Sequence, residues 1–132
     1  MISRLLLSVV VLALASCSGG LGGTLPPQKW GEHIVQVEVR PPVPRQGMNE
    51  FLVVVSDERR RPVSDLIVSL RADDAQKWRQ AIQDGRTGVY RRAIQVDDPA
   101  NQTLQVHLKR RSGEEVVLYF PIAAALERAG GG

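Results

Sequence analysis

Cysteine is nearly absent from this 132-residue sequence, since Cys17 is the single one. An internal disulfide is therefore excluded, and a folded domain must be held together by packing and hydrogen bonds alone. Aromatic residues make up only 5% of the chain, and its formal net charge is only +3. A general nucleic-acid binder needs a concentrated cationic face with stacking aromatics, so this composition argues against nucleic acid as a partner.

Long hydrophobic runs are absent as well. The longest nearly unbroken apolar stretch covers residues 5–15, whereas a transmembrane helix needs roughly 20 such residues. This stretch follows Arg4 and precedes Ser16, which is the order of charged, apolar and small residues found in a secretory signal peptide. We therefore predict that residues 1–16 are a signal peptide and that the chain is exported.

The four residues from Leu14 to Cys17 resemble the bacterial lipobox, in which an apolar residue and two small ones precede a cysteine that is acylated on its thiol. The resemblance implies cleavage before Cys17, attachment of fatty acids such as palmitate, and a membrane anchor that gains roughly 0.8 kcal/mol per buried methylene. Ser18 stands where lipoproteins retained on the inner membrane often carry aspartate, so the resemblance implies the periplasmic face of the outer membrane. Residues 17–31, rich in glycine and proline, are predicted to be the lipidated cysteine and a flexible linker.

Residues 32–122 show short apolar–polar alternations separated by turn residues, which is typical of half-buried antiparallel strands. Strands are predicted at residues 33–39, 50–56, 65–71, 89–96, 102–109 and 114–121. This spacing predicts an all-β fold, an immunoglobulin-like antiparallel β-sandwich of about seven strands. Residues 123–132 are predicted to be a mobile C-terminal tail that begins with a short helical turn.

Residues 73–85 fit two structures. Ala75, Trp78 and Ile82 would share one face of a helix. Trp78, Gln80 and Ile82 would equally share one face of a strand. The alternation and the family resemblance described next favour the strand.

Three short motifs carry that resemblance: Gly47 to Phe51 opening a strand, Asp57 with a polar loop and then Pro62-Val63 before the next, and Gly88 to Tyr90 opening a later one. They resemble the bacterial immunoglobulin-like family that includes the FixH and YtkA-like domains, over roughly residues 36–110. The glycines suit turns, and Tyr90 suits a buried ring whose hydroxyl reaches the rim of the core.

Some members of the resembled family are linked to copper handling or oxidase assembly, and their natural soft ligands are His and Met. The resemblance therefore implies a metal-handling alternative, in which Met48 would act with His33 or His107. These residues are far apart in sequence, with no pair at ligand spacing. His107 also alternates out of phase with the apolar residues around it, which predicts that it faces solvent. We therefore predict no metal site and no cofactor.

Catalytic signatures are missing too. No nucleophile motif surrounds the serines of the domain, and adjacent acids such as Asp73-Asp74 and Asp97-Asp98 are typical of solvated turns. We predict a non-enzymatic binding or interaction module for another envelope protein or a ligand, with sheet edges and end loops as the recognition surfaces.

Basic residues recur in alternate loops of the predicted sandwich. If successive strands run up and down, one end collects them and the other collects Asp73-Asp74 and Asp97-Asp98. The strand that begins at His33 starts at the basic end, so the lipid tether is expected to enter there and to turn that end toward anionic headgroups. This predicted membrane-facing basic pole consists of Arg59, Arg60, Arg61, Lys109, Arg110 and Arg111.

Overall fold

The computed structural model of the protein describes residues 23–130. The predicted signal peptide and Cys17 therefore lie outside the described residues. Within this range the chain forms nine strands and one helix, in the following order: β1 (Thr24–Trp30), β2 (His33–Arg40), β3 (Gly47–Ser56), β4 (Leu66–Arg71), β5 (Arg79–Gln80), β6 (Ile82–Gln83), β7 (Val89–Val96), β8 (Thr103–Arg110), β9 (Glu115–Pro121) and α1 (Ala123–Gly130).

The strands form two antiparallel sheets that pack face to face. The first sheet has the order β1-β2-β3-β7-β6, and the second has the order β5-β4-β8-β9. With β5 and β6 counted as one strand that changes sheets, β2 to β9 reproduce the immunoglobulin arrangement, in which strands ABED face strands CFG. The predicted immunoglobulin-like sandwich is therefore confirmed, with β1 as an additional edge strand.

The core lies between the two sheets and follows the alternation in the sequence. Val35, Val37 and Val39 of β2 are at most 2% exposed, and the polar residues between them point outward. Tyr90, Phe51 and Phe120 are the largest fully buried side chains. Each buried residue of this size contributes about 1.5 to 3 kcal/mol relative to an exposed one, which stabilises the fold without a disulfide.

The segment assigned to the linker is shorter than predicted, because β1 covers residues 24–30. Leu25 is fully buried, and β1 pairs with β2 along its length. The register shifts between Leu25 and Gln28, where Pro26 and Pro27 stand. Proline is tolerated in edge strands and at bulges, so the pair that suggested a stiff linker belongs to an irregular edge strand.

No helix forms at residues 73–85. Asp73 accepts hydrogen bonds from the backbone N–H groups of Ala75 and Gln76 through Oδ1, at 2.9 and 3.0 Å, and so stabilises a turn. The chain then forms β5 in the second sheet, crosses at Ala81 and forms β6 in the first sheet. The extended conformation favoured by the sequence is correct, but one continuous strand is not.

The C-terminal segment also differs from the prediction. The expected helical turn is an eight-residue helix, α1, and its Ala125 is fully buried. The preceding Ile122 is buried and donates its backbone N–H to Gln102 O at 3.2 Å. The domain therefore extends beyond residue 122 into the segment that was assigned to the tail.

The glycines and the tyrosine of the three motifs occupy the expected positions. Gly47 and Gly88 have positive φ angles of 112° and 75°. A Cβ on Gly88 would lie 2.6 Å from Val55 O, so this close approach requires glycine. Tyr90 is 1% exposed, donates its hydroxyl to Val63 O at 2.8 Å and accepts the Leu66 N–H at 3.2 Å. The predicted turn positions and the buried tyrosine are confirmed.

Candidate binding cleft

The six residues of the predicted basic pole lie at one end of the sandwich, which we call the Arg59 end. It consists of residues 31–33, 57–65, 84–88 and 109–115. The same stretches contain seven basic and seven acidic residues, so their formal net charge is zero. Some of these charges pair directly, for example Arg61 with Asp57 at 2.8 Å. The prediction grouped the arginines correctly but left out the acids of the same loops.

The expected point of attachment is wrong. Thr24 pairs with Glu38 near the end of β2, and Gly23 O accepts a hydrogen bond from the Val39 N–H at 2.8 Å. The chain therefore enters at the opposite end, which we call the Pro42 end and which holds residues 41–46, 72–78 and 97–102. The reason is that β1 precedes β2 and runs along its length, from the Pro42 end to the Arg59 end, before the chain reaches His33.

The residues of the metal-handling alternative are not brought together. In the β2–β3 register, His33 lies beyond the Ile34–Ser56 pair, whereas Met48 is near the other end of β3. Nine residues of β3 separate the two levels, which is about 30 Å at roughly 3.4 Å per residue. His107 lies on the second sheet, where its Nε2 is 2.9 Å from Glu115 Oε2. Across residues 23–130 there is no group of three or more His, Cys, Asp or Glu side chains that could hold a metal ion.

The outer face of the second sheet, where His107 was expected, holds a polar cluster whose members are bonded to one another. Gln105 is only 6% exposed. Its amide accepts the Arg71 Nε–H at 2.7 Å and donates to Asp74 Oδ1 at 2.6 Å. The Arg71 guanidinium also lies 4.2 Å from the ring centroid of Trp78, and that ring is 5.6 Å from His107. Because these groups already bond to each other, we interpret the cluster as one that stabilises the fold.

A cleft with different properties opens beside β7, on the flank of the sandwich where the chain crosses between sheets. Its volume is about 400 Å³. It is lined by Met48, Glu50, Arg79, Ile82, Arg91, Arg92, Ala93 and Gln95. Three guanidinium groups and one carboxylate give this lining a formal charge of +2.

The arginines of the cleft differ in their partners. Arg91 pairs with Asp84 Oδ2 at 3.2 Å, but its buried Nε has no hydrogen-bond partner. The side chains of Arg79 and Arg92 have neither an ion-pair nor a hydrogen-bond partner anywhere in the part of the chain that the structure describes. A guanidinium carries five N–H donors and stays charged. The cleft therefore offers unsatisfied donors to an anion.

Arg92 occupies an unusual position in its strand. It is opposite Phe51 in the β3–β7 register and lies between the buried residues Tyr90 and Ile94 on the inward-facing side. Asn49, which has the inward phase on the neighbouring strand β3, is satisfied by its own loop, since its Nδ2 donates to Arg45 O at 2.7 Å. The Arg92 side chain instead reaches the cleft, past the edge of β7 that β6 leaves uncovered.

The rim of the cleft is apolar. Ile82 is 63% exposed and Met48 is 51% exposed, on either side of the arginines. Both side chains lie on the outer face of the first sheet. Together they supply apolar contact area next to positive charge.

Sequence reasoning missed this cleft because it combines residues from three separate segments. One signal was present: Arg92 shares the inward phase of its strand with Tyr90, Ile94 and Val96. Inward-pointing charged residues are found at the edges of sheets, so this phase indicates that β7 has an open edge at Arg92.

No protein-family model matches the chain, and no curated protein matches its sequence significantly. The resemblance to the FixH and YtkA-like domains, which depends on short motifs, stays a prediction. In the described range, no helix has the length and apolar character to cross a bilayer.

Proposed function

We propose that this protein is an exported lipoprotein, anchored through Cys17 to the periplasmic face of the outer membrane, that carries a non-enzymatic binding module for another envelope protein. The lipobox-like residues 14–17 support the anchor. The cleft beside β7 supports the binding role. The observation that carries the proposal is that Arg79 and Arg92 line a cleft of about 400 Å³ without partners among residues 23–130.

Binding suits this cleft better than catalysis. Its charged groups are three guanidiniums and the Glu50 carboxylate. Guanidiniums hold charge but do not exchange protons near neutral pH, so they position an anion rather than act as an acid or base. A binding role needs only the fixed positive charge and the N–H donors of these guanidiniums.

The lipid anchor can be tested in bacteria that express the full chain. Cells fed an alkyne-labelled palmitate should incorporate the label into the wild-type protein, because the Cys17 thiol is the proposed site of acylation. The Cys17→Ser variant should lose the label and leave the membrane fraction. Ser18→Asp serves as a matched variant, since it should keep the label and move the protein from the outer to the inner membrane. Equal labelling of wild type and Cys17→Ser would contradict the anchor.

The binding role can be tested in the same cells by site-specific photocrosslinking. A crosslinking residue in place of Gln95, which lines the cleft, should give a discrete adduct with one envelope protein. The control position is Ile67, which is 46% exposed on the second sheet. Identical adducts from both positions, or none from Gln95, would contradict a binding module that uses the cleft.

A further inference from the structure

We propose that the cleft receives an acidic, extended segment of the partner protein, which pairs with β7 at Ala93 as an added strand. This inference rests on the proposed binding function and names the chemistry of the partner. It combines three features of the cleft: unpaired backbone groups, unpaired guanidiniums and an apolar rim.

The backbone of β7 is available at Ala93. β6 pairs with β7 only at Tyr90 and Arg91, because the chain leaves the first sheet at Ala81. The Val89 C=O accepts the Asp84 N–H at 2.8 Å, and the Gln95 C=O accepts Gln76 Nε2 at 2.8 Å. Both groups therefore point away from β3.

Ala93 lies between Val89 and Gln95 in β7 and has the same phase as both. In an antiparallel ladder, alternate residues direct both backbone groups to the same side. The N–H and C=O of Ala93 therefore point into the cleft, where no strand of the described range pairs with them. An extended peptide can continue the line of β6 at this position, which is the β-augmentation mode of recognition.

The charge of the cleft selects the sequence of such a peptide. Hydrogen bonds between guanidinium and carboxylate are roughly twice as strong as those between neutral groups, and they can be bidentate. Arg79 and Arg92 are free to form them, while Arg91 is partly engaged by Asp84. Side chains alternate along a strand, so acidic residues at every second position, with apolar residues between them, fit the arginines and the rim together.

The same arginines explain why a second copy of this chain is a poor occupant. An exposed strand edge invites self-association, and charged residues at the edge oppose it. Two copies that met edge to edge here would bring arginines against arginines. The charges therefore exclude this chain and admit an acidic one, which is specificity by repulsion as well as attraction.

The test uses the full-length chain, purified in non-ionic detergent, and a fluorescently labelled peptide of alternating glutamate and valine. Fluorescence anisotropy measures its binding. A peptide with glutamine in place of glutamate should bind about tenfold more weakly or worse, since charged hydrogen bonds are lost. A glutamate–valine peptide with N-methylated backbone nitrogens should be weakened similarly, because it cannot donate to β7.

Variants of the protein test the same contacts from the other side. Arg79→Gln and Arg92→Gln should each weaken binding of the acidic peptide about tenfold. Glu50→Gln should strengthen it, because that carboxylate lines the cleft and repels an acidic peptide. Arg111→Gln is the matched control, since it removes an equal charge from an exposed loop away from the cleft and should leave binding unchanged. Circular dichroism confirms that each variant is folded.

The outcomes separate the inference from the proposed function. Equal binding of the glutamate and glutamine peptides overturns the acidic partner. If the N-methylated peptide binds as well as the unmethylated one, strand addition is overturned and a simple carboxylate site remains. The same conclusion follows if millimolar acetate alone displaces the glutamate–valine peptide. If Gln95 crosslinks a partner in cells while the acidic peptide fails to bind, this inference is wrong and the binding module stands. If both experiments fail, the proposed function fails as well.

Discussion

Tyr90 shows at the scale of one residue how the two sheets are joined at the Arg59 end. Its ring fills the core, and its hydroxyl bonds the Val63 C=O and the Leu66 N–H. Val63 lies in the connection that carries the chain from the first sheet to the second, and Leu66 is the first residue of β4. One buried side chain therefore ties the end of this connection to the core, in addition to backbone hydrogen bonds such as the one from the Val63 N–H to Val55 O at 3.0 Å.

Removing this hydroxyl should be costly. Tyr90→Phe leaves a backbone N–H and a C=O near the core without their partner, which typically costs about 1 to 3 kcal/mol of unfolding free energy. The control is Tyr119→Phe, because Tyr119 is 57% exposed and surface changes usually stay within about 0.5 kcal/mol. Urea denaturation of both variants measures the difference. Equal stabilities of the two would show that the Tyr90 hydroxyl bonds are not important.

The same residue predicts a response to alkaline pH. Burial raises the pKa of Tyr90 above its ordinary value of 10.0, since the phenolate would lose its hydration. Above pH 10 the unfolded chain therefore releases this proton more readily than the folded one, and stability falls as pH rises toward the folded pKa. In Tyr90→Phe this contribution is absent. The test is urea denaturation from pH 9 to pH 11, which is about one unit on either side of the ordinary pKa. Over this range the denaturation midpoint should fall less steeply with pH for Tyr90→Phe than for the wild type.

At the scale of elements, β1 is a strand whose two prolines made it look like a linker in the sequence. Leu25 is fully buried, although it stands beside two prolines in a segment that reads as linker. Leu25→Ala should cost about 2 to 5 kcal/mol if β1 belongs to the folded domain. Lys29→Ala, at an exposed position of the same strand, should be nearly neutral. Thermal and urea unfolding distinguish the two, and an unaffected Leu25→Ala would return residues 24–30 to the linker.

The alternation of apolar residues predicted six of the strands closely, because each of them buries one face against the other sheet. β2 and β8 are examples, with bounds within a residue or two of the prediction. The strand crossing at Ala81 could not be predicted, since two-residue strands have no period to detect. Its position depends on Ala81 donating to Val68 O at 2.7 Å, which is a contact between distant segments.

The cleft was beyond sequence reasoning for a related reason. Arg79 and Arg92 belong to different elements and meet only because the chain changes sheets between them. The inward phase of Arg92 was readable, but its environment was not. Periodicity reports which face a residue occupies, whereas a site depends on which edges remain open.

At the scale of the whole molecule, balanced charges at the Arg59 end alter the expectation for membrane contact. Seven acids offset seven bases there, and charges that pair or mix in this way create little field beyond a Debye length of about 8 to 10 Å. We expect the Cys17→Ser chain and the same chain with Arg59, Arg60 and Arg61 all changed to Ala to bind anionic vesicles equally weakly in a flotation assay. Clear loss of binding in the triple variant would restore the predicted membrane-facing pole.

On both long sides of the sandwich, contacts link the edges of the two sheets. On one side, β1 and β9 meet, and Gln28 Nε2 donates to Tyr119 O across the seam. On the other side, the crossing at Ala81 joins the sheets covalently, and Gln83 Nε2 donates to Ser64 O nearby. The part of β7 beyond β6 is an edge with which no strand of the described range pairs, and the cleft with its arginines lies there.

The entry of the chain beside Pro42 has a consequence for encounter with a partner. Six residue steps separate Cys17 from Gly23, so a lipid on that cysteine would hold the domain within about 20 Å of the bilayer. Met48 and Gln95 lie toward the same end of the sandwich. A partner confined to the same membrane would then meet the cleft at an effective concentration approaching about millimolar, and even a weak intrinsic affinity would suffice for frequent occupancy.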